Sequence, residues 1–166
     1  MNFEIIHELP ATPARAFEIL FSEAYEAAFA AHSGHESART LLEDRQEGPL
    51  RIRRYRIESG RELPALVAKA VGTSRLSYEL QQTLDPNNQR MNWRVVPTVM
   101  ADKVRAEGSY GFESTGPGTC RRIIRGQVTV GIVLVGKKIE DLIGRELEAG
   151  YAKSTEFART YLESQG

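Results

Sequence analysis

From about Lys137 to Glu163 the chain has no proline, and Ile139, Ile143, Leu147, Gly150, Ser154, Phe157 and Tyr161 recur at steps of three or four. That rhythm is one stripe of a long helix, about 40 Å from end to end at 1.5 Å per residue. Lys138, Asp141, Arg145, Glu148 and Arg159 fall on the opposite, solvated face. A helix of this length needs an extended apolar partner, which limits the chain to a few layered architectures. Gly150 and Ser154 are small residues in the middle of the stripe. They leave room for a bulky side chain from the partner surface, or for a ligand.

The partner surface lies upstream. Residues 75–84 alternate, with Tyr78, Leu80, Gln82 and Leu84 on one side and Ser77, Glu79, Gln81 and Thr83 on the other. Residues 90–96 repeat the pattern with Met91, Trp93 and Val95. Residues 103–112 place Val104, Ala106, Tyr110 and Phe112 on one face, and 119–131 place Ile124, Val128 and Val130 together. Period-two alternation of this kind predicts half-buried antiparallel strands. Residues 2–8, 36–46 and 50–58 predict three more, with a turn at Gly48-Pro49. Thr12 and Pro13 open a short helix that carries Ala16, Phe17 and Leu20. Ser22 caps a second over 22–31, with Tyr25, Ala28 and Phe29 on one face. Residues 64–71 read as a short helix or a folded loop. An antiparallel sheet of six or seven strands curls. The terminal helix is the element long enough to cover its concave face, and the two short helices close one end.

Composition narrows the function classes. The 166 residues fit one domain, and Lys plus Arg (22) balances Asp plus Glu (22), so no global charge draws nucleic acid or an anionic membrane. A single cysteine, Cys120, excludes an intrachain disulfide and a four-cysteine zinc site. No apolar run approaches a membrane span, and no basic-then-apolar start marks a secretory signal. A cytoplasmic protein without a cofactor, monomeric or homodimeric, is the expectation. His32, His35 and Glu36 do not match the spacing of a zinc-protease helix. His7 stands alone on its strand, and the arginines beside Cys120 could lower a thiol pKa.

The opening strand Phe3-Glu4-Ile5-Ile6-His7, the Pro10-Ala11-Thr12-Pro13 helix start with Ala16-Phe17, the mid-chain Leu63-Pro64, and the run from Val130 to Gly136 into Lys137-Lys138-Ile139-Glu140 resemble the START-like superfamily. This is the α+β helix-grip fold of lipid-transfer domains, the birch pollen allergen and polyketide cyclases. The resemblance is closest to bacterial members of unknown function and covers nearly the whole chain, 1–166, as one domain. It implies an elongated cavity between sheet and helix, used for apolar or amphipathic small molecules.

On that footing the expected lining is Tyr78, Leu80, Trp93, Tyr110 and Phe112 from the sheet, with Val95. Ile143, Leu147, Gly150, Ser154 and Phe157 come from the long helix, and Tyr25 and Phe29 guard one end. If Leu50 and Ile52 point inward, so do Arg54 and Arg56, and Arg54 becomes an anchor for an acidic head group or a rim residue. Arg122 carries the same ambiguity. Leu66, with Val67 and Val71, is the candidate gate, and Ile132-Val133-Leu134-Val135 is a second apolar lip. Both lips allow at most transient membrane contact. Three functions fit: a carrier of a hydrophobic small molecule, a cyclase or dehydratase using the same hollow, or a protein-interaction module using the outer row Arg75, Glu79, Arg90 and Arg94. The second needs an acid or base inside, for which tyrosines, Arg54 and His7 are available.

Overall fold

A computed structural model describes residues 1–33 and 37–166. Strand β1 (Asn2–Leu9) leads into helices α1 (Pro13–Leu20) and α2 (Glu23–Ser33). The Thr12 and Ser22 hydroxyls accept from the backbone N–H groups of Arg15 and Tyr25, so both helices begin on their expected caps. Strands β2 (Ser37–Glu47) and β3 (Leu50–Ser59) follow, then helix α3 (Ala65–Val71), β4 (Ser77–Asp85), β5 (Arg90–Pro97), β6 (Val104–Gly116) and β7 (Thr119–Val130). The chain ends in α4 (Gly136–Gln165). Segment 64–71 is thus the helical alternative, closed by Gly72 in the left-handed conformation at φ 79°.

All seven strands form one antiparallel sheet in the order β1-β7-β6-β5-β4-β3-β2. The last strand returns beside the first, and the β2–β3 hairpin is the far edge. Helix α4 packs on β1 and β7, and its C-terminal half meets α1 and α2. This is the helix-grip arrangement that the order of elements predicts.

The register fixes which side chains share the inner face. Arg53 pairs with Gln82, Gln82 with Trp93, Trp93 with Gly108, Gly108 with Gly126, and Gly126 with Phe3. This single cross-sheet row explains its two glycines. A Cβ on Gly126 would lie 2.6 Å from both the Phe3 ring and Trp93 Cζ2, and one on Gly108 would strike the Arg125 carbonyl. The Trp93 indole therefore lies flat across β6 and β7, stacked on Phe3 with centroids 6.2 Å apart.

The core has two parts. One joins α1, α2 and the end of α4 to the sheet through Phe17, Leu20, Tyr25, Phe112, Ile124, Ala158 and Leu162. The other joins α3 and the start of α4 to β6 and β7 through Val67, Ala106, Val128, Val130, Val135 and Ile139. Trp93 and Phe3 are partly buried against both.

Candidate functional site

Between those two packed ends α4 is less deeply buried, although Gly144 approaches Met1 and the Tyr151 carbonyl approaches Arg122. From Glu140 to Ser154 no α4 residue is buried, whereas Ile139 before it and Thr155 after it are. The strand residues opposite share that openness: Tyr78, Leu80, Trp93 and Val95 face inward yet stay partly exposed. These strand residues and Ile143, Leu147 and Tyr151 of α4, all partly exposed, bound the candidate groove, with Trp93 on its sheet side.

Farther along the inner face, toward β1 and α1, lies a polar cluster. Arg122, on β7 between His7 of β1 and Phe112 of β6, is 2% exposed. Its Nη1 donates to Tyr110 Oη at 2.9 Å, and its Nη2 donates to Thr155 Oγ1 at 2.5 Å. The same Nη2 lies 3.4 Å from His7 Nδ1 and 3.5 Å from the Tyr151 carbonyl. The rings of Tyr110 and Tyr151 stand 5.4 and 5.5 Å from the guanidinium carbon. Its Nε has no acceptor, and among the described residues no carboxylate lies within ion-pair distance of it.

The surrounding groups stay neutral. Burial pushes the Tyr110, Tyr151, Tyr25 and Tyr78 phenols above their ordinary range, so all four remain protonated donors at neutral pH. Burial holds the His7 imidazole below its usual pKa, and the neighbouring Arg122 and Arg159 charges lower it further. The site is one fixed cation ringed by uncharged hydrogen-bonding groups.

The expected lining divides accordingly. Tyr78, Leu80, Trp93, Val95, Ile143 and Leu147 are all partly exposed on the facing sides of the sheet and α4. Tyr110 supports the polar cluster. Phe112 belongs to the packed core, edge-on to Phe17 with centroids 6.4 Å apart. Tyr25, Phe29 and Phe157 close the lower end as an aromatic cluster, with Phe157 5.7 Å from Tyr25 and 5.5 Å from Phe29. Ser154 is partly exposed and donates to the Tyr151 carbonyl of its own helix at 3.1 Å.

Three positions are corrected. Gly150 is exposed, and a Cβ built on it meets nothing within 4 Å, so it does not face the sheet. The inward stripe keeps its four-residue step from Leu147 to Tyr151 and Thr155, one position beyond the assumed Gly150 and Ser154. Arg54 points to the outer face, where Nε and Nη1 bind Glu43 at 3.0 Å and Glu79 at 2.9 Å. Its neighbour Arg53 is the inward one, 2% exposed, because it pairs with Gln82. Leu66 is 53% exposed and leaves Val67 to pack under α3, so the gate residue turns outward.

The other candidates resolve simply. Val133 and Leu134 are 85% and 94% exposed in the lip before α4, while Val135 is buried. His32 stacks on Phe157 at 4.7 Å, and His35 and Glu36 lie outside the described residues. Burial, helped by the Glu8 charge, pushes the Cys120 thiol up to about 11, opposite to the lowering that its neighbouring arginines suggest. On the outer face, Glu79 binds Arg54 and Arg75 lies 3.8 Å from Glu62. A cleft of about 420 Å³ lies beside the β5–β6 connection, lined by Val95, Val96, Ala101 and Val104 and by Arg105, which pairs with Glu107. Another of about 270 Å³ lies between α1 and the β3–β4 edge.

Sequence reading missed Arg53, Tyr151, Thr155 and the Gly108–Gly126 pair. Two signals were present: glycines inside strand patterns, which mark close approach, and the unbroken four-residue step after Leu147.

Comparison with known structures agrees with this architecture. The aromatase/cyclase Zhui from Streptomyces sp. R1128 superposes with a TM-score of 0.65 at 12% identity, covering 98% of this chain and 93% of that one. Norcoclaurine synthase from Thalictrum flavum, in complex with dopamine and hydroxybenzaldehyde, gives 0.67 at 14% identity, over 98% and 87%. A START superfamily protein from Mycobacterium smegmatis gives 0.61 at 16% identity, over 97% and 98%. At these identities the likeness establishes the fold. No curated protein matches the sequence. Residues 4–162 match a protein family described as "Protein of unknown function (DUF2505)", and the chain, which has the START-like helix-grip fold, belongs to that family.

Proposed function

We propose that this protein binds an apolar or amphipathic small molecule in the groove between α4 and the inner face of β4 and β5. The observation that carries this is local: between the two packed ends no α4 residue from Glu140 to Ser154 is buried, and the inward-facing Tyr78, Leu80, Trp93 and Val95 are partly exposed too. A surface this apolar, rimmed by aromatic side chains with polar tips, is suited to a ligand. Burial there would contribute roughly 25 cal/mol per Å² of apolar surface. Superposable structures of the same fold include one holding two small aromatic molecules. A soluble carrier of this kind fits a chain whose described helices include none long and apolar enough to cross a membrane.

Trp93 is the only tryptophan in the chain, so its fluorescence reports directly on the groove. Native mass spectrometry of the protein purified from cells should show a co-purifying small molecule. Removing it should shift Trp93 emission to longer wavelength. An unadorned mass, together with emission unmoved by a panel of alkyl and aromatic amphiphiles, would overturn the reading.

A second reading is catalytic, and His7 favours it. It is held neutral beside Arg122, so it could accept a proton from a bound molecule whose developing negative charge Arg122 stabilises. Turnover of a bound polyketide-like chain that disappears in His7→Gln, with binding retained, would establish that reading over simple carriage.

A further inference from the structure

Arg122 poses a problem that the apolar groove does not explain. A guanidinium 2% exposed carries a large desolvation cost, normally offset by a carboxylate. Its acceptors here are the Tyr110 hydroxyl, the Thr155 hydroxyl, the His7 ring nitrogen and the Tyr151 carbonyl, all uncharged. The Nε–H has none. The fold keeps a full positive charge on the inner face with no counter-ion among the described residues and a donor left over.

Resting on the groove as a ligand site, we infer that its ligand is a carboxylic acid, bound as the carboxylate by Arg122 with its apolar body along Trp93. The charge count selects this class. One cation among neutral phenols balances one negative charge, whereas a phosphate dianion would leave an uncompensated buried charge. A planar carboxylate also matches the guanidinium fork. The phenols are donors, so they too favour an anion over a second cation. The register sets the span that the body of the ligand would bridge, past the buried Ile124. Arg122 and Gly126 lie on the same face of β7, four residues and so roughly 13 Å apart, with Ile124 between them. Gly126 lies beneath the Trp93 ring.

The test uses the intact protein with three probes of one chain length: dodecanoate, dodecanol and dodecyl phosphate. Trp93 emission and titration calorimetry read their binding. Dodecanoate should bind roughly ten- to a hundredfold more tightly than dodecanol, the range expected for hydrogen bonds to a charged partner. In Arg122→Met that preference should vanish, dodecanoate falling to the dodecanol level while dodecanol is unchanged. Equal binding of acid and alcohol to the native protein would sink the carboxylate inference and leave the apolar groove standing. Binding of dodecyl phosphate tighter than dodecanoate would sink it too. Failure of all three to bind would remove the groove reading, and the inference with it. The acid-to-alcohol ratio in the native protein decides the matter even if Arg122→Met does not fold.

Discussion

Arg53 and Arg122 sit on the same face of the same sheet at the same 2% exposure, and their surroundings differ in kind. Arg53 lies 3.4 Å from Glu26 of α2 and 4.0 Å from Asp44 of β2, and donates to the Phe21 carbonyl. A register shift between Leu41 and Glu43 is what turns Asp44 to the inner face beside it. Arg51, also inward, binds Asp44 at 2.7 Å. That end of the sheet brings its own carboxylates, and although Arg53 Nε, like Arg122 Nε, has no acceptor, its charge is balanced. Arg122 has hydroxyls, a ring nitrogen and a carbonyl. Burial alone therefore says nothing about the role of a buried cation; the charge of its neighbours does. A neutralised arginine is structural, and one without a counter-ion is prepared for something that arrives.

This contrast predicts opposite effects on stability. Arg53→Met should cost the most, about 2 kcal/mol, because it leaves Glu26 to the more exposed Arg39 and weakens the hold on Asp44. That figure is discounted for the partial exposure of the two carboxylates. Urea unfolding measures it. A loss under half of that would mean the cluster holds the edge less firmly than its geometry implies.

Next in size is Gly126→Ala, which tests the floor between the two arginine sites. The added methyl group meets Phe3 and Trp93 at 2.6 Å, and displacing those rings should cost about 1–2 kcal/mol, the lower part of the overpacking range. Because the change is to shape and not to charge, it should weaken dodecanoate and dodecanol alike. A selective loss of the acid would show that the floor and Arg122 are not separable.

Arg122→Met should change stability least among the three, staying within about 1 kcal/mol of the native protein in either direction. It removes hydrogen bonds to Tyr110 and Thr155 but also relieves an unneutralised charge. A loss as large as that of Arg53→Met would recast Arg122 as a tie between β7 and α4.

How much of this was legible beforehand follows the same division. Alternation over 75–84 and 90–96, and the long rhythm after Lys137, expose the sheet and its covering helix because burial imposes period two and period 3.6 on apolar residues. The inner face of β3 was not legible. In Arg51-Ile52-Arg53-Arg54-Tyr55-Arg56 both faces carry charge, so hydrophobicity cannot choose between them; cross-strand pairing with Gln82 and the bulge in β2 decide. Gly150 misled because a small residue near an apolar stripe looks like a gap, whereas Gly150 faces away from the sheet and the next residue, Tyr151, is the one that meets it. The absence of a carboxylate around Arg122 depends on α4 and β1 delivering Thr155 and His7 from far along the chain, and no local pattern records that.

The smallest expected effect is a pH dependence that distinguishes the two arginine sites further. His7 faces Arg122 from β7 and Arg159 from α4, and burial and both charges lower its pKa. A histidine depressed in the folded state binds its proton more readily when unfolded. Its contribution to stability is therefore complete above the ordinary histidine pKa and is lost as pH falls through the depressed folded value. Unfolding free energy should decline with acid over that window, and His7→Gln should flatten this part of the decline. In Arg122→Met the same slope should shrink but persist, since burial, the largest cause, remains. Bound dodecanoate should shrink it as well, because its negative charge offsets Arg122 and lets His7 titrate closer to its ordinary pKa. Arg53→Met should leave the slope untouched. Loss of the slope in Arg53→Met, or indifference to dodecanoate, would contradict the assignment of His7 and Arg122 to one electrostatic unit.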